Sequence, residues 1–129
     1  MQDVALRRGD LIPHFETTTI DGRPFRYADV WQRSNLVLFV LRAPAGPQAR
    51  AYLTDLQACV SRLTPANSTL VAVRGPVPGL PESSVLLSDQ WGEIAHIGEL
   101  PADVSAWPEI GDIVEWLEFV RMKCPECPA

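Results

Sequence analysis

The sequence is poor in cysteine, in clustered basic residues and in long apolar runs. Three cysteines in 129 residues do not make a disulfide scaffold. Sixteen acidic against eleven scattered basic residues give a net charge of −5, which argues against binding driven by neutralisation of nucleic-acid phosphates. No run approaches the roughly 18 apolar residues of a membrane helix, and the N-terminus has no secretory-signal pattern. We therefore expect a cytoplasmic protein without nucleic-acid or membrane partners.

The composition is that of one folded domain. Hydrophobic residues make up 47% and charged residues 21% of the chain, values typical of a compact soluble protein. A chain of this length fits a single domain. We expect residues 1–123 to form this domain and residues 124–129 to form a short tail that carries a Cys-x-x-Cys motif.

Hydrophobic patterning predicts a βαβ unit in the middle of the chain. The apolar run at 35–41 predicts a central strand buried on both faces. Apolar residues three and four apart between Pro47 and Leu63 predict a helix, and Pro65 predicts its end. Residues 69–74 predict a second buried strand, joined to the first by a right-handed crossover.

Two hairpins and a closing helix flank this unit. Residues 14–27 predict a hairpin around the turn Asp21-Gly22, and residues 84–97 predict another around 89–92. Between the βαβ unit and the second hairpin, residues 75–81 are rich in proline and glycine and predict a loop. Pro108 predicts the first turn of a helix that runs to about residue 122.

This order of elements resembles the thioredoxin fold in its redoxin or peroxiredoxin-like form. Residues 9–15 and 20–25 are similar to the opening of the alkyl hydroperoxide reductase, thiol peroxidase and TlpA-like families. Residues 37–53 resemble their central strand, active-site loop and helix, and residues 86–94 resemble their late hairpin. The resemblance covers nearly the whole chain. It implies an α/β fold in which helices flank a mixed, roughly five-stranded sheet.

The resemblance also implies a degenerate active site. Redox-active members carry Cys-Pro-x-Cys-Arg where this chain has Gly46-Pro47-Gln48-Ala49-Arg50. Gly46 and Ala49 therefore occupy the ancestral redox positions, and neither can act as a nucleophile or as a resolving thiol. Ser83 stands where the family has a cis-proline that faces the redox centre. The loop at 75–81 is also too short for the helix that the family places there.

Cys124 and Cys127 are the remaining candidate catalytic residues. Their spacing allows a disulfide within the motif or half of a tetrahedral zinc site. A zinc site needs two further ligands, from His14, His96 or Cys59 or from the tail of a second copy. Because Cys124 follows the C-terminus of a helix, the helix dipole disfavours its thiolate, so a functionally silent tail is the third interpretation. We expect no cofactor.

Other chemistry-bearing side chains have structural interpretations. Cys59 lies on the apolar stripe of the central helix, where a cysteine packs as a small hydrophobic residue. His14 and His96 lie in or beside predicted strands, and no motif accompanies either of them. Of the four tryptophans, Trp91, at a hairpin turn, and Trp107, before a helix, are the strongest candidates for partial exposure at an interface, and packing in the core or at its rim is the favoured interpretation.

Three hypotheses about function follow. The leading hypothesis is a noncatalytic or weakly redox-active module that dimerises or binds another protein. The alternative is a thiol–disulfide oxidoreductase or peroxidase that uses Cys124 and Cys127 on a thiol or disulfide substrate. A zinc-binding tail is the third hypothesis.

Overall fold

The computed structural model describes residues 5–42, 44–63 and 68–122. They form an α/β fold that confirms the predicted βαβ unit, both hairpins and the closing helix. In chain order the elements are β1 (Glu16–Thr18), β2 (Pro24–Arg26), β3 (Asn35–Val40), α1 (Pro47–Leu63), β4 (Ser68–Val73), β5 (Ser84–Ser88), β6 (Ile94–Glu99) and α2 (Ile110–Met122). Short 3₁₀ turns lie at Tyr27–Asp29 and Val104–Ala106. The segment 75–81 is a loop, as predicted.

The main sheet is mixed and has the strand order β4-β3-β5-β6. Strand β3 pairs in parallel with β4 and antiparallel with β5, and β5 pairs antiparallel with β6. All six residues of β3 are buried, because the strand lies between two neighbours and both of its faces are covered. The apolar run at this place in the sequence is therefore a central strand, as predicted.

The N-terminal hairpin forms its own two-stranded sheet and also reaches the outer edge of β4. Beyond β1, the amide of Ile20 donates to the carbonyl of Ala72 over 3.0 Å, and the amide of Arg74 donates to Thr18 over 2.9 Å. These bonds surround an isolated bridge between Thr19 and Val73. Among the described residues the main sheet thus has four full strands and part of a fifth.

The opposite edge of the sheet is also partly covered. The amide of Gly9 donates to the carbonyl of Ile94 over 2.8 Å, and the amide of Ile94 donates to Asp10 over 2.9 Å. The amide of Ile12 donates to Gly92 over 2.9 Å. The N-terminal segment therefore covers part of both sheet edges, which limits unwanted pairing with other strands.

Two apolar clusters fill the two faces of the sheet. On one face α1 contributes Leu56 and Val60 and α2 contributes Ile113 and Leu117. On the other face the N-terminal segment and the first 3₁₀ turn contribute residues with small exposed areas: Ile12, Phe15, Tyr27 and Val30. No helix within the described ranges 5–42, 44–63 and 68–122 is long and apolar enough to span a membrane.

One sequence-based expectation needs correction, and the structure makes two others more specific. Helix α2 begins at Ile110 rather than at Pro108, because the carbonyl of Glu109 accepts the amides of Asp112 and Ile113 and so starts the helix. Trp107 is 8% exposed, which agrees with the favoured packing interpretation, because the second 3₁₀ turn folds it against the core. Cys59 is half-buried, so its side chain packs only in part.

Candidate functional site

A cavity of about 550 Å³ opens at the C-terminal end of β3. Three segments surround it: residues 41–42 and 44–49, which belong to the loop before α1 and its first turn, residues 81–83 before β5, and residues 99–107 from the end of β6 onward. Leu41, Leu100 and Val104 contribute apolar wall. The cavity lies where β3 passes into α1, so the site depends on the βαβ unit that the sequence predicts.

The structure places Gly46 and Ala49, the two positions that the resemblance assigns to redox cysteines, at this cavity. The carbonyl of Gly46 accepts the amide of Arg50 over 3.0 Å, so Gly46 caps the N-terminus of α1, and Pro47 follows at the first helical position. A Cβ atom at Gly46 would meet no atom within 4 Å. Ala49, one turn later, is 6% exposed and lines the same cavity. Space for a side chain at position 46 is therefore present, but the thiol is absent from the sequence.

Ser83 forms part of the opposite wall. Its hydroxyl accepts the amide of Arg42 over 3.3 Å, and its carbonyl accepts the amide of Leu100 over 2.9 Å. Both Ser83 and Gly46 line the cavity. The position that the resemblance assigns to a cis-proline thus lines the same cavity as Gly46, and it carries a hydroxyl.

An aromatic cluster holds the segment after β6 against the cavity. The Nε1 of Trp107 donates to the carbonyl of Pro101 over 2.8 Å, and its ring meets Tyr52 edge-on at 5.1 Å and Phe39 at 5.7 Å. The hydroxyl of Tyr52 donates to the carbonyl of Pro108 over 2.7 Å. Burial raises the pKa of Tyr52 to about 12, so this hydroxyl stays protonated at neutral pH. The sequence does not indicate this packing of Trp107 beside the cavity, because its contacts come from distant segments of the chain.

The rim of the cavity is polar and includes an ion pair. Arg42 and Glu82 form an ion pair of 3.2 Å, and their side chains are 75% and 71% exposed. At this exposure the pair adds little stability, but it gives a donor and an acceptor at the mouth of an apolar cavity. Among the described residues the one thiol is Cys59, thirteen residues beyond Gly46 and therefore about 20 Å away along α1.

The other sequence-based candidates do not gather at the cavity. Cys124 and Cys127 lie outside the described residues, so their redox and zinc interpretations stay predictions. His14 meets Trp31 edge-on at 5.0 Å, and His96 stacks on Trp116 at 3.9 Å. Burial and the charge of Arg8 lower the pKa of His96. Within 5–42, 44–63 and 68–122 no group of three or more His, Cys, Asp or Glu side chains is placed to hold a metal ion.

Solved structures with the same arrangement of elements are known, although the chain matches no family model and no curated protein. The yeast mitochondrial 1-Cys peroxiredoxin has a TM-score of 0.68 at 12% identity over 91% of this chain and 77% of that chain. A putative protein disulfide isomerase from Bacteroides thetaiotaomicron has a TM-score of 0.63 at 13% identity over 92% of both chains. A peroxiredoxin-like protein from Aquifex aeolicus has a TM-score of 0.63 at 12% identity, over 90% of this chain and 88% of that chain.

The chain has a thioredoxin-like fold. The resemblance to redoxins and peroxiredoxins is thereby confirmed as a resemblance of fold, and at such identities it concerns the fold alone. In this thioredoxin-like domain the cavity at the β3–α1 junction keeps apolar walls, a polar rim and an open position at Gly46. Such a site can bind a ligand, and Gly46 and Ala49 provide no group for covalent chemistry.

Proposed function

We propose that this thioredoxin-like protein is a noncatalytic module that binds a polypeptide segment of another protein at the cavity beside Gly46. One observation carries the proposal. The cavity has formed walls on three sides, yet Gly46 and Ala49 expose no reactive side chain to it. Binding without thiol chemistry is the activity that such a site supports.

The size and the polarity of the cavity favour a polypeptide ligand. Its volume of about 550 Å³ lies within the range of roughly 300–1,000 Å³ that is usual for ligand sites. It is only partly enclosed, whereas sites for small molecules enclose most of the ligand surface. Apolar side chains of a bound segment can enter between Leu41 and Leu100. Its backbone can bond Arg42 and Glu82 at the rim.

Peptide selection with a blocked variant tests this binding. Phage-displayed peptides selected on the wild-type protein are expected to shift the NMR signals of residues 42, 46, 83 and 100. Gly46→Phe should reduce their affinity at least tenfold, because the ring stands at the mouth of the cavity and has free space there. Gly111→Phe is the matched control, since Gly111 is exposed, unobstructed and outside the cavity. Equal binding to both variants would contradict the proposal.

A second copy of the chain is the competing partner. Sedimentation at several protein concentrations separates the two cases. A dimer that Gly46→Phe dissociates and Gly111→Phe leaves intact would identify the bound segment as part of this chain. A monomer that binds the selected peptides supports a different protein as the partner.

Thiol–disulfide exchange by Cys124 and Cys127 is the second candidate function, and their Cys-x-x-Cys spacing is the observation that favours it. Insulin reduction compares the wild type with a Cys124→Ser, Cys127→Ser double variant. We expect equal rates at the uncatalysed level, and a faster wild type would instead support the oxidoreductase. A Gly46→Cys, Ala49→Cys variant tests whether the assay detects a dithiol at the cavity. Measurement of bound zinc in the wild type and in the double serine variant tests the third hypothesis.

A further inference from the structure

The outer edge of β4 is only partly paired. Successive residues of a strand direct their backbone N–H and C=O groups to opposite sides. The amide of Leu41 donates to the carbonyl of Val73, so the backbone groups of Val73 face β3. The carbonyl of Ala72 faces outward, where it accepts the amide of Ile20. By the same alternation the amide of Ala72 and both backbone groups of Leu70 also face outward. No described residue bonds these three groups.

A groove of about 430 Å³ lies beside this unpaired stretch. Its apolar wall is formed by Leu53 of α1 and by Ile20, Leu70 and Ala72, the last three of which are only half-buried. A strand added to the edge of β4 would pass along this groove. Its backbone would pair with the outward groups, and its alternate side chains would cover the apolar wall.

The charges around the groove indicate the composition of such a strand. Arg23 and Arg50 line the groove together with Asp21. Arg50 pairs with Asp21 at 3.3 Å, whereas Arg23 is exposed and makes no ion pair within the described part of the chain. The groove is therefore locally positive on a protein whose net charge is −5. This charge favours an acidic partner and disfavours a basic one.

We infer that the open edge of β4 accepts an extended segment of another protein as an additional strand, and that this segment carries apolar side chains toward the groove and an acidic side chain close to Arg23. Main-chain bonds to Leu70 and Ala72 would supply the pairing, and Arg23 would select the acidic side chain. The inference does not depend on the cavity beside Gly46, which lies at the N-terminus of α1 and shares no lining residue with this groove.

Hydrogen exchange followed by NMR tests the inference with a defined probe, the capped peptide acetyl-VEVTVE-amide at millimolar concentration. Pairing should slow exchange at the amides of Leu70 and Ala72. The amide of Val71 faces β3 and is the internal control. The peptide acetyl-VKVTVK-amide should bind more weakly, and N-methylation of the peptide amides that face β4 should abolish binding. Signal shifts without slower exchange at Leu70 and Ala72 would overturn the inference.

Charge reversal supplies the second test. Arg23→Glu should weaken binding of the acidic peptide about three- to tenfold, the size expected for reversal of one exposed charge. Arg8→Glu is the matched control, because Arg8 is equally exposed and acts near His96, at the opposite sheet edge. Equal effects of the two variants would overturn the inference. Slow exchange at Leu70 and Ala72 in the free protein would also overturn it, because another segment of the chain would then cover the edge. The same holds if exchange slows as the protein concentration rises without peptide, because a second copy would then cover the edge.

Discussion

Replacement of Trp107 by alanine tests whether its side chain is buried. If Trp107 lay at the surface, its replacement by alanine would cost less than about 0.5 kcal/mol. In the structure the side chain is 8% exposed, donates to Pro101 and packs against Tyr52 and Phe39. Removal of a buried aromatic side chain costs about 3–5 kcal/mol. Trp107→Ala should therefore lose a large part of the stability of a domain, which is about 5–15 kcal/mol.

Urea unfolding followed by circular dichroism measures this loss. With a slope of about 1–3 kcal/mol per molar urea, the unfolding midpoint should fall by about 2 M. Trp107→Phe keeps the ring packing and removes the bond to Pro101, so it should cost about 1 kcal/mol. Trp31→Ala is the control, because Trp31 is 37% exposed and its loss should cost much less. A loss below about 1 kcal/mol for Trp107→Ala would refute the buried placement.

Three further predictions concern other parts of the fold. Tyr52→Phe removes the hydroxyl that bonds the segment before α2 and should lower the free energy of unfolding by about 0.5–1.5 kcal/mol; equal urea midpoints would contradict this. Gly92→Ala should lower the free energy of unfolding by about 2 kcal/mol or more, because Gly92 has a φ of +89° and the new Cβ would lie 2.8 Å from the Tyr27 hydroxyl. Gly98→Ala is the control, because its Cβ would make only ordinary contacts. The pKa of His96 is lowered in the folded protein, so as the pH falls the unfolded chain binds a proton at this residue before the folded protein does. The free energy of unfolding should therefore decrease as the pH drops below 6.5 and become constant below the pKa of His96 in the folded protein. Urea midpoints from pH 5 to 8 should show this fall in the wild type and lose it in His96→Gln.

The central elements could be predicted because their signals are local. The run at 35–41 is apolar at nearly every position, as a strand buried on both faces requires. Helix α1 has the predicted bounds because Pro47 suits its first position and Pro65 prevents its continuation. The positions of Gly46 and Ala49 at the start of this helix followed from the same signals. The part of the candidate site that these elements carry was therefore accessible from the sequence.

The remaining walls of the cavity could not be predicted, because they depend on contacts between distant segments. Trp107 is buried by Phe39 and Tyr52, more than fifty residues away. The partial cover of both sheet edges consists of backbone bonds, such as that from Ile20 to Ala72, which leave no side-chain pattern. The start of α2 at Ile110 is another such case, since a proline permits a helix start without fixing it.

The cavity shows that shape and chemistry are separable in this fold. Its walls depend on Leu41, Leu100 and Trp107, whereas a Cβ at Gly46 would contact nothing. Glycine at a helix N-cap costs only a few tenths of a kcal/mol relative to the best capping residues. A chain with glycine at this position therefore keeps both the helix and the cavity. Thiol chemistry can be absent from such a site while its capacity to bind remains, which is the physical basis of the function proposed for this protein.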